Sequence, residues 1–284
     1  GAALVSGTVF VPVLKAGEQS SAYVAATLVL PESRRYIVGP VIAPWVAQTP
    51  MLMLPSPESV AALCYPAGVE TEAESGEDTH SIPVAAYEAW ADSSASVIAE
   101  IARTARGGTL VLATAFRDVQ ALRTRLAVAL GDRLLVHDRS KPVQLVRNHF
   151  IALHRRGVRP VWIAAGPAAW TGLDLRARDE NGNHIPASED FLLTDLAILR
   201  AGWGVNRSST QYGRQERMKW VATLAEAAIL LRQGVGRLVR SEGLKDRRLW
   251  VLDGRLYSPA HRHLAPTASV FDRYTRRSHY RLPQ

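Results

Sequence analysis

The sequence predicts an α/β fold, a parallel sheet covered by helices on both faces, on three observations. Short apolar runs alternate with amphipathic segments of roughly a dozen residues or more, long enough for the crossover that parallel strands require. The runs at Thr109–Thr114 and Val158–Ala165 are continuously apolar, as in strands buried on both faces. Glycines punctuate the pattern, with Gly107-Gly108 and Gly131 closing the first two helical segments.

In chain order, Gly7–Leu14 and Ala22–Leu30 read as short strands around a turn at Gly17. Residues 31–82 read as an irregular connector. Pro31, Pro40, Pro44, Pro50, Pro55, Pro57 and Pro66 exclude long helices, and Glu70, Glu72, Glu74, Glu77 and Asp78 mark a solvated acidic loop. A regular unit then spans 83–257. Its expected elements are a helix at Ala85–Arg106, a strand from Thr109, a helix at Arg117–Leu130, a strand at Arg133–His137 and a helix at Pro142–Arg156. They continue with a strand at Val158–Ala165, a polar loop at Arg176–Glu189, a strand at Phe191–Leu199, a helix at Arg214–Arg240 and a strand at Arg248–Leu252. Residues 258–284 read as a basic tail carrying Arg273, Arg276, Arg277 and Arg281. Ligands of such sheets sit outside the carboxyl ends of the strands, so chemistry is expected in the loops after Ala113, Ala165 and Asp253.

Composition narrows the function classes. A single cysteine, Cys64, excludes an internal disulfide framework and a clustered-thiolate metal site, and no metal ligands are assigned. The net charge of +8 suits a polyanionic partner. No apolar run approaches the roughly 20 residues of a membrane span. The opening Gly-Ala-Ala-Leu-Val has neither basic leader nor initiator Met, so it reads as a start within a longer, cytoplasmic protein.

Three segments carry chemistry. In Gln233-Gly-Val-Gly236-Arg237-Leu-Val-Arg240, the amide and two guanidiniums recur at i, i+4 and i+7, so a helix would set them on one face to clamp a phosphoryl group. Glycine costs about 1 kcal/mol relative to alanine inside a helix, so Gly234 and Gly236 imply close approach of a nucleotide or neighbouring backbone. Trp170-Thr171-Gly172-Leu173-Asp174 follows a buried strand and offers a hydroxyl, amides and a carboxylate; Trp170 is either a stacking surface for a base or a core aromatic. Thr114-Ala-Phe116-Arg117 joins a strand end to a helix start, where a hydroxyl and free amides bind a backbone phosphate or simply cap the helix. His261-Arg-His263 lacks the further ligands a metal needs and reads as solvated.

Together these segments resemble the motifs of DinG and XPD helicases of superfamily two. Thr109–Phe116 resembles the strand-and-Thr motif opening the second motor domain, and Trp170–Asp174 is similar to the Trp-Glu-Gly-Val-Asp signature, with Thr171 in place of Glu. Gln233–Arg240 with Ser241-Glu242 resembles Gln-Gly-Ile-Gly-Arg-Leu-Ile-Arg-Ser, and Val251–Leu256 the strand that follows it. Tyr23–Leu28 resembles the segment ending the first motor domain. Asp195–Arg200 with Asn206-Arg-Ser208 is most similar to the DinG helicases of type IV CRISPR systems.

The resemblance implies a RecA-like second motor domain, with residues 1–30 as the end of the first. It implies Arg237 and Arg240 as arginine fingers on ATP, Gln233 and Gly236 beside the nucleotide, and Gly172 and Asp174 coupling nucleotide to strand. Thr114, with Arg117, Trp170 and Thr171, would contact single-stranded DNA. No Gly-x-x-x-x-Gly-Lys-Ser/Thr occurs, so ATP and Mg²⁺ would be held mainly by an N-terminal motor domain outside this sequence, and the chain alone is expected to hydrolyse ATP negligibly. Relatives move 5′ to 3′, and the CRISPR subfamily implies a guide-RNA complex as partner. Two other readings stay open: a nucleic-acid-binding module without ATPase activity, and an unrelated doubly wound enzyme acting on a small phosphorylated metabolite.

Overall fold

The computed structural model describes residues 50–67, 69–70, 80–137, 142–171, 173–202, 220–239, 243–272 and 274–283. It also describes the strand segments Thr8–Val11, Val29–Leu30, Arg35–Tyr36 and Gly39–Ile42, which form two small antiparallel pairs. The main body is built from β1 (Met51–Pro55), α1 (Val84–Thr104), β2 (Gly108–Ala113), α2 (Phe116–Leu130), β3 (Leu134–Val136), α3 (Val143–Arg155) and β4 (Val161–Ala165). It continues through α4 (Pro167–Thr171), β5 (Leu193–Ile198), α5 (Trp220–Val235), β6 (Arg248–Val251), α6 (Ala265–Ala268) and β7 (Arg277–Tyr280).

The seven strands form one sheet in the order β7-β1-β6-β5-β2-β4-β3, and every neighbouring pair is parallel. Side chains alternate across a strand, and β2 shows how that divides the core. Leu110 and Leu112 enter one cluster with Trp162, Leu196, Phe150 of α3 and Leu231 of α5. Val111 and Ala113 enter the other with Ile163, Ala197, Ile98 of α1 and Leu122 of α2. Both faces are therefore helix-covered, which is the α/β architecture expected and the reason these strands read as unbroken apolar runs.

Gly107, expected only as a helix stop, has a second role. A Cβ there would lie 1.8 Å from the Phe191 carbonyl oxygen, so the chain entering β2 passes where no side chain fits. The sheet also recruits a strand from two of the segments that the sequence pattern leaves outside it. β1 lies within the Pro-rich connector yet sits between β6 and β7. β7 comes from the basic tail and pairs Arg277 with Leu52 through Tyr280 with Pro55. Tyr280 is buried and its hydroxyl donates to the Val251 carbonyl, fastening this edge to β6. The strands expected at Gly7–Leu14 and Ala22–Leu30 are represented by Thr8–Val11 and Val29–Leu30, while Gly17 and Tyr23–Leu28 lie outside the described residues.

α5 ends before the expected Arg240. After Val235 the bonds tighten, with Arg237 N donating to the Gly234 carbonyl and Leu238 N to that of Val235, both at 3.0 Å, in an i-to-i+3 turn. The helix expected to set Gln233, Arg237 and Arg240 on one face therefore ends at Val235, with Arg237 in the tighter turn that follows. Arg237 turns inward, and Arg240 lies outside the described residues.

Candidate functional site at the carboxyl edge

Two of the three motif segments are fastened to each other directly. α4 is a single turn, and such a helix leaves its last carbonyls without partners inside the helix. Arg237, only 3% exposed, supplies them. Its Nη2 and Nε donate to the Trp170 carbonyl at 2.9 and 3.2 Å, and its Nη1 donates to the Leu173 carbonyl at 2.7 Å. A guanidinium suits this task because its planar fork reaches two acceptors at once, with its charge at the negative end of the turn.

Trp170 completes the junction. Its Nε1 donates to the carbonyl of Ala113 at 2.8 Å, joining α4 to the end of β2. The ring is 2% exposed and lies against α5 at Gly234, where an added Cβ would sit 2.7 Å from both Cε3 and Cζ3. This corrects one expectation and decides between two readings of another residue. Gly234 accommodates an indole ring rather than a nucleotide or neighbouring backbone, and Trp170 is a core aromatic with no face left for a base.

The remaining candidates are placed as follows. Thr114 directly follows β2; its Oγ1 is buried without a hydrogen-bond partner among the described residues. Its methyl lies 3.0 Å from where a Cβ of Gly202 would stand, so the loops after β2 and β5 meet here. Arg117 is exposed, and its guanidinium lies 3.9 Å above the Tyr87 ring, against α1 and away from the Trp170–Arg237 junction. Gln233 and Gly236 are half-buried at the end of α5. The Asp174 carboxylate lies 3.8 Å from Arg178, and its carbonyl accepts from Arg147 Nε at 2.7 Å. Thr171 closes α4, and Gly172 lies outside the described residues.

A second constellation lies at this edge; the motif segments of the sequence include Arg200, Asp253 and Arg255 but assign no role to Asp118 or Tyr87. Asp118, fully buried in the first turn of α2, accepts from the Tyr87 hydroxyl at 3.1 Å and from Arg200 Nε at 2.6 Å. The Arg200 guanidinium lies 4.0 Å above the Tyr65 ring. Asp253, also fully buried, accepts from the Ala201 amide at 2.8 Å and from Arg255 Nε and Nη2 at 2.9 and 2.8 Å. Burial first, then the charge of Asp118, pushes the Tyr87 phenol well above its ordinary range, which keeps it a neutral donor. One signal was available: Asp118 shares a helical face with Leu122 and Leu126 at i, i+4 and i+8, so the buried stripe of α2 begins on a carboxylate.

Both carboxylates are thus engaged by arginines, and no group of three His, Cys, Asp or Glu suited to a metal occurs among the described residues. Asp118 and Asp253 therefore present no open carboxylate to a Mg²⁺ ion. What the described residues do form is a hydrogen-bonded platform that fixes the loops after β2, β4, β5 and β6. No helix among the described residues is long and apolar enough to cross a membrane.

No family model matches the chain, and no curated protein matches it. Among solved structures, one described as an XPD helicase is similar over 82% of this chain, with 14% identity and a TM-score of 0.47. Another, described as XPD apo, is similar over 82% of the chain, with 13% identity and a TM-score of 0.48. The chain spans 35% and 40% of the length of these two structures.

Proposed function

We propose that this chain is the second motor domain of a DinG-like, superfamily-two DNA helicase, one half of a composite ATP site. The observation that carries the proposal is the Arg237–Trp170 junction. The two most specific segments of the helicase resemblance, Trp170–Asp174 and Gln233–Arg240, are joined by three hydrogen bonds at the carboxyl edge of a parallel sheet. A motor needs this coupling, because nucleotide sensed by one segment must move the strand held by the other.

The roles divide accordingly. Arg237 is a positioning residue, since its donors are turned onto carbonyls within the domain. Arg240 is the arginine finger, supported by Gln233 and Gly236, and stabilises the charge spreading over the γ-phosphoryl oxygens. Asp174 and Gly172 relay the change, while Thr114 and Thr171 meet single-stranded DNA. Thr114 suits that role because its buried Oγ1 has no partner among the described residues. ATP and Mg²⁺ belong to the N-terminal motor domain, consistent with carboxylates here that are already paired. The type IV CRISPR resemblance of Asp195–Arg200 extends the proposal to a guide-RNA complex as partner.

The test is ATP hydrolysis stimulated by single-stranded DNA in the full-length protein. Arg240→Ala is expected to lower turnover by about 10³-fold or more, the range of a lost arginine finger. DNA binding with no ATPase in the unaltered protein would instead support a binding module without enzymatic activity.

A further inference from the structure

From Arg139 to Leu173 the chain contains no Asp or Glu but six Lys and Arg, a large share of its net charge of +8. This acid-free stretch includes the whole of α3, whose outward side forms one wall of a groove of about 600 Å³. The other wall is the polar loop that starts after Asp174. Arg147, Arg155 and Arg156 contribute from the helix side and Arg178 from the loop, over a floor that includes Ile151 and Ala152.

On the helix side Arg147, Arg155 and Arg156 are held without a carboxylate partner among the described residues, whereas Arg178 on the loop side pairs with Asp174. Arg147 donates to the Asp174 carbonyl, and Arg155 Nη2 donates to the Arg178 carbonyl at 3.2 Å, tying one wall to the other. Arg156 is exposed and has no carboxylate partner among the described residues. Asp179 accepts from the Asn183 amide at 2.8 Å, which turns the loop. With exposed Glu180 it is outnumbered by the arginines of the lining. Arg178 lies 3.8 Å from Asp174, so one end of the groove begins where the candidate site stops.

We infer that this groove binds the phosphodiester backbone of a single-stranded nucleic acid. Charge selects the ligand, and the form of the groove refines the choice. Arg147 and Arg155 are eight residues apart on one helix, about 12 Å at 1.5 Å per residue, long enough to meet more than one phosphate of the same strand. A groove with arginine walls, a partly apolar floor and no aromatic ring in its lining reads backbone charge rather than base sequence. The site stands on the groove's own residues and does not require the helicase reading.

The test is fluorescence anisotropy of labelled dT20 and rU20 with the full protein across a salt series. Arg155→Glu with Arg156→Glu is expected to weaken binding at least tenfold at low salt. With two phosphates no longer neutralised, the plot of log affinity against log salt should become shallower by about 1.4, at roughly 0.7 per phosphate. Weaker binding of both oligomers assigns the groove to the backbone they share; weaker binding of one assigns it to that strand alone. The milder pair Arg155→Gln with Arg156→Gln should lower the slope equally and leave thermal melting unchanged, separating an effect on phosphate binding from an effect on folding. Unchanged affinity and slope for both oligomers would overturn the inference. Oligomer binding by the groove pair is read without ATP, and the proposed function is read as ATP hydrolysis, so failure of one is distinguishable from failure of the other.

Discussion

Two sets of arginines flank Asp174, and they use the same side chain in opposite ways. Arg237 is 3% exposed and directs three donors onto the carbonyls of Trp170 and Leu173, so its charge serves the interior. Arg155 and Arg156, across the loop, are exposed and leave their charge facing solvent. The motif arginine carries the resemblance yet acts within the domain as a brace. The groove arginines belong to no motif and are the ones presenting charge to a ligand. A guanidinium's role therefore follows from what surrounds it: orphan carbonyls at a helix end capture it, and an acid-free helix leaves it available.

The largest expected effect on this comparison is at the brace. Arg237→Gln removes the fork that reaches both carbonyls and should cost roughly 1.5–3 kcal/mol of stability, the range for hydrogen bonds to a charged group. Urea unfolding measures it. Arg237→Lys should recover little, since an ammonium cannot span two acceptors as a planar fork does. A wild-type midpoint for Arg237→Gln would break the contrast, leaving Arg237 no more structural than the groove arginines.

A smaller effect sharpens the contrast within α3, where half-buried His154 shares the helix with exposed Arg155. Burial holds the His154 imidazole below its ordinary 6.5, partly offset by the charge of Asp190. Between that folded value and 6.5 the unfolded chain binds more protons than the folded one. Stability therefore falls as pH drops through this window, and the loss is complete below the folded value. His154→Gln should remove that part of the acid-side decline in melting temperature. Identical pH profiles for the two proteins would show that the imidazole is not desolvated.

Much of this architecture was legible because buried parallel strands and amphipathic helices are periodic. α1, α2 and α3 fall within about two residues of their expected bounds, and β2, β4, β5 and β6 lie within or next to theirs. The strands that escaped notice lack that signal. β1 is five residues between prolines and a turn, and β7 is Arg-Ser-His-Tyr, in which only Tyr280 is buried. An edge strand needs little apolar patterning, so its composition reads as a tail.

The site was legible as segments and illegible as contacts. The glycines of Gln233–Arg240 announced a close approach, but only the fold reveals that the ring of Trp170 makes it at Gly234. Asp118 and Arg200 are 82 residues apart and meet through the sheet order, which no local spacing encodes.

The central claim is that Trp170–Asp174 and Gln233–Arg240 form one rigid unit, and a double-mutant cycle at Trp170 and Gly234 tests it most directly. Gly234→Ala drives a methyl into the ring of Trp170 and should cost about 1–3 kcal/mol by overpacking. In a Trp170→Leu background the ring is gone, so the same change should cost markedly less. The coupling energy should then fall within the roughly 0.5–3 kcal/mol found for residues in contact. Additive effects, with Gly234→Ala costing the same in both backgrounds, would contradict the account.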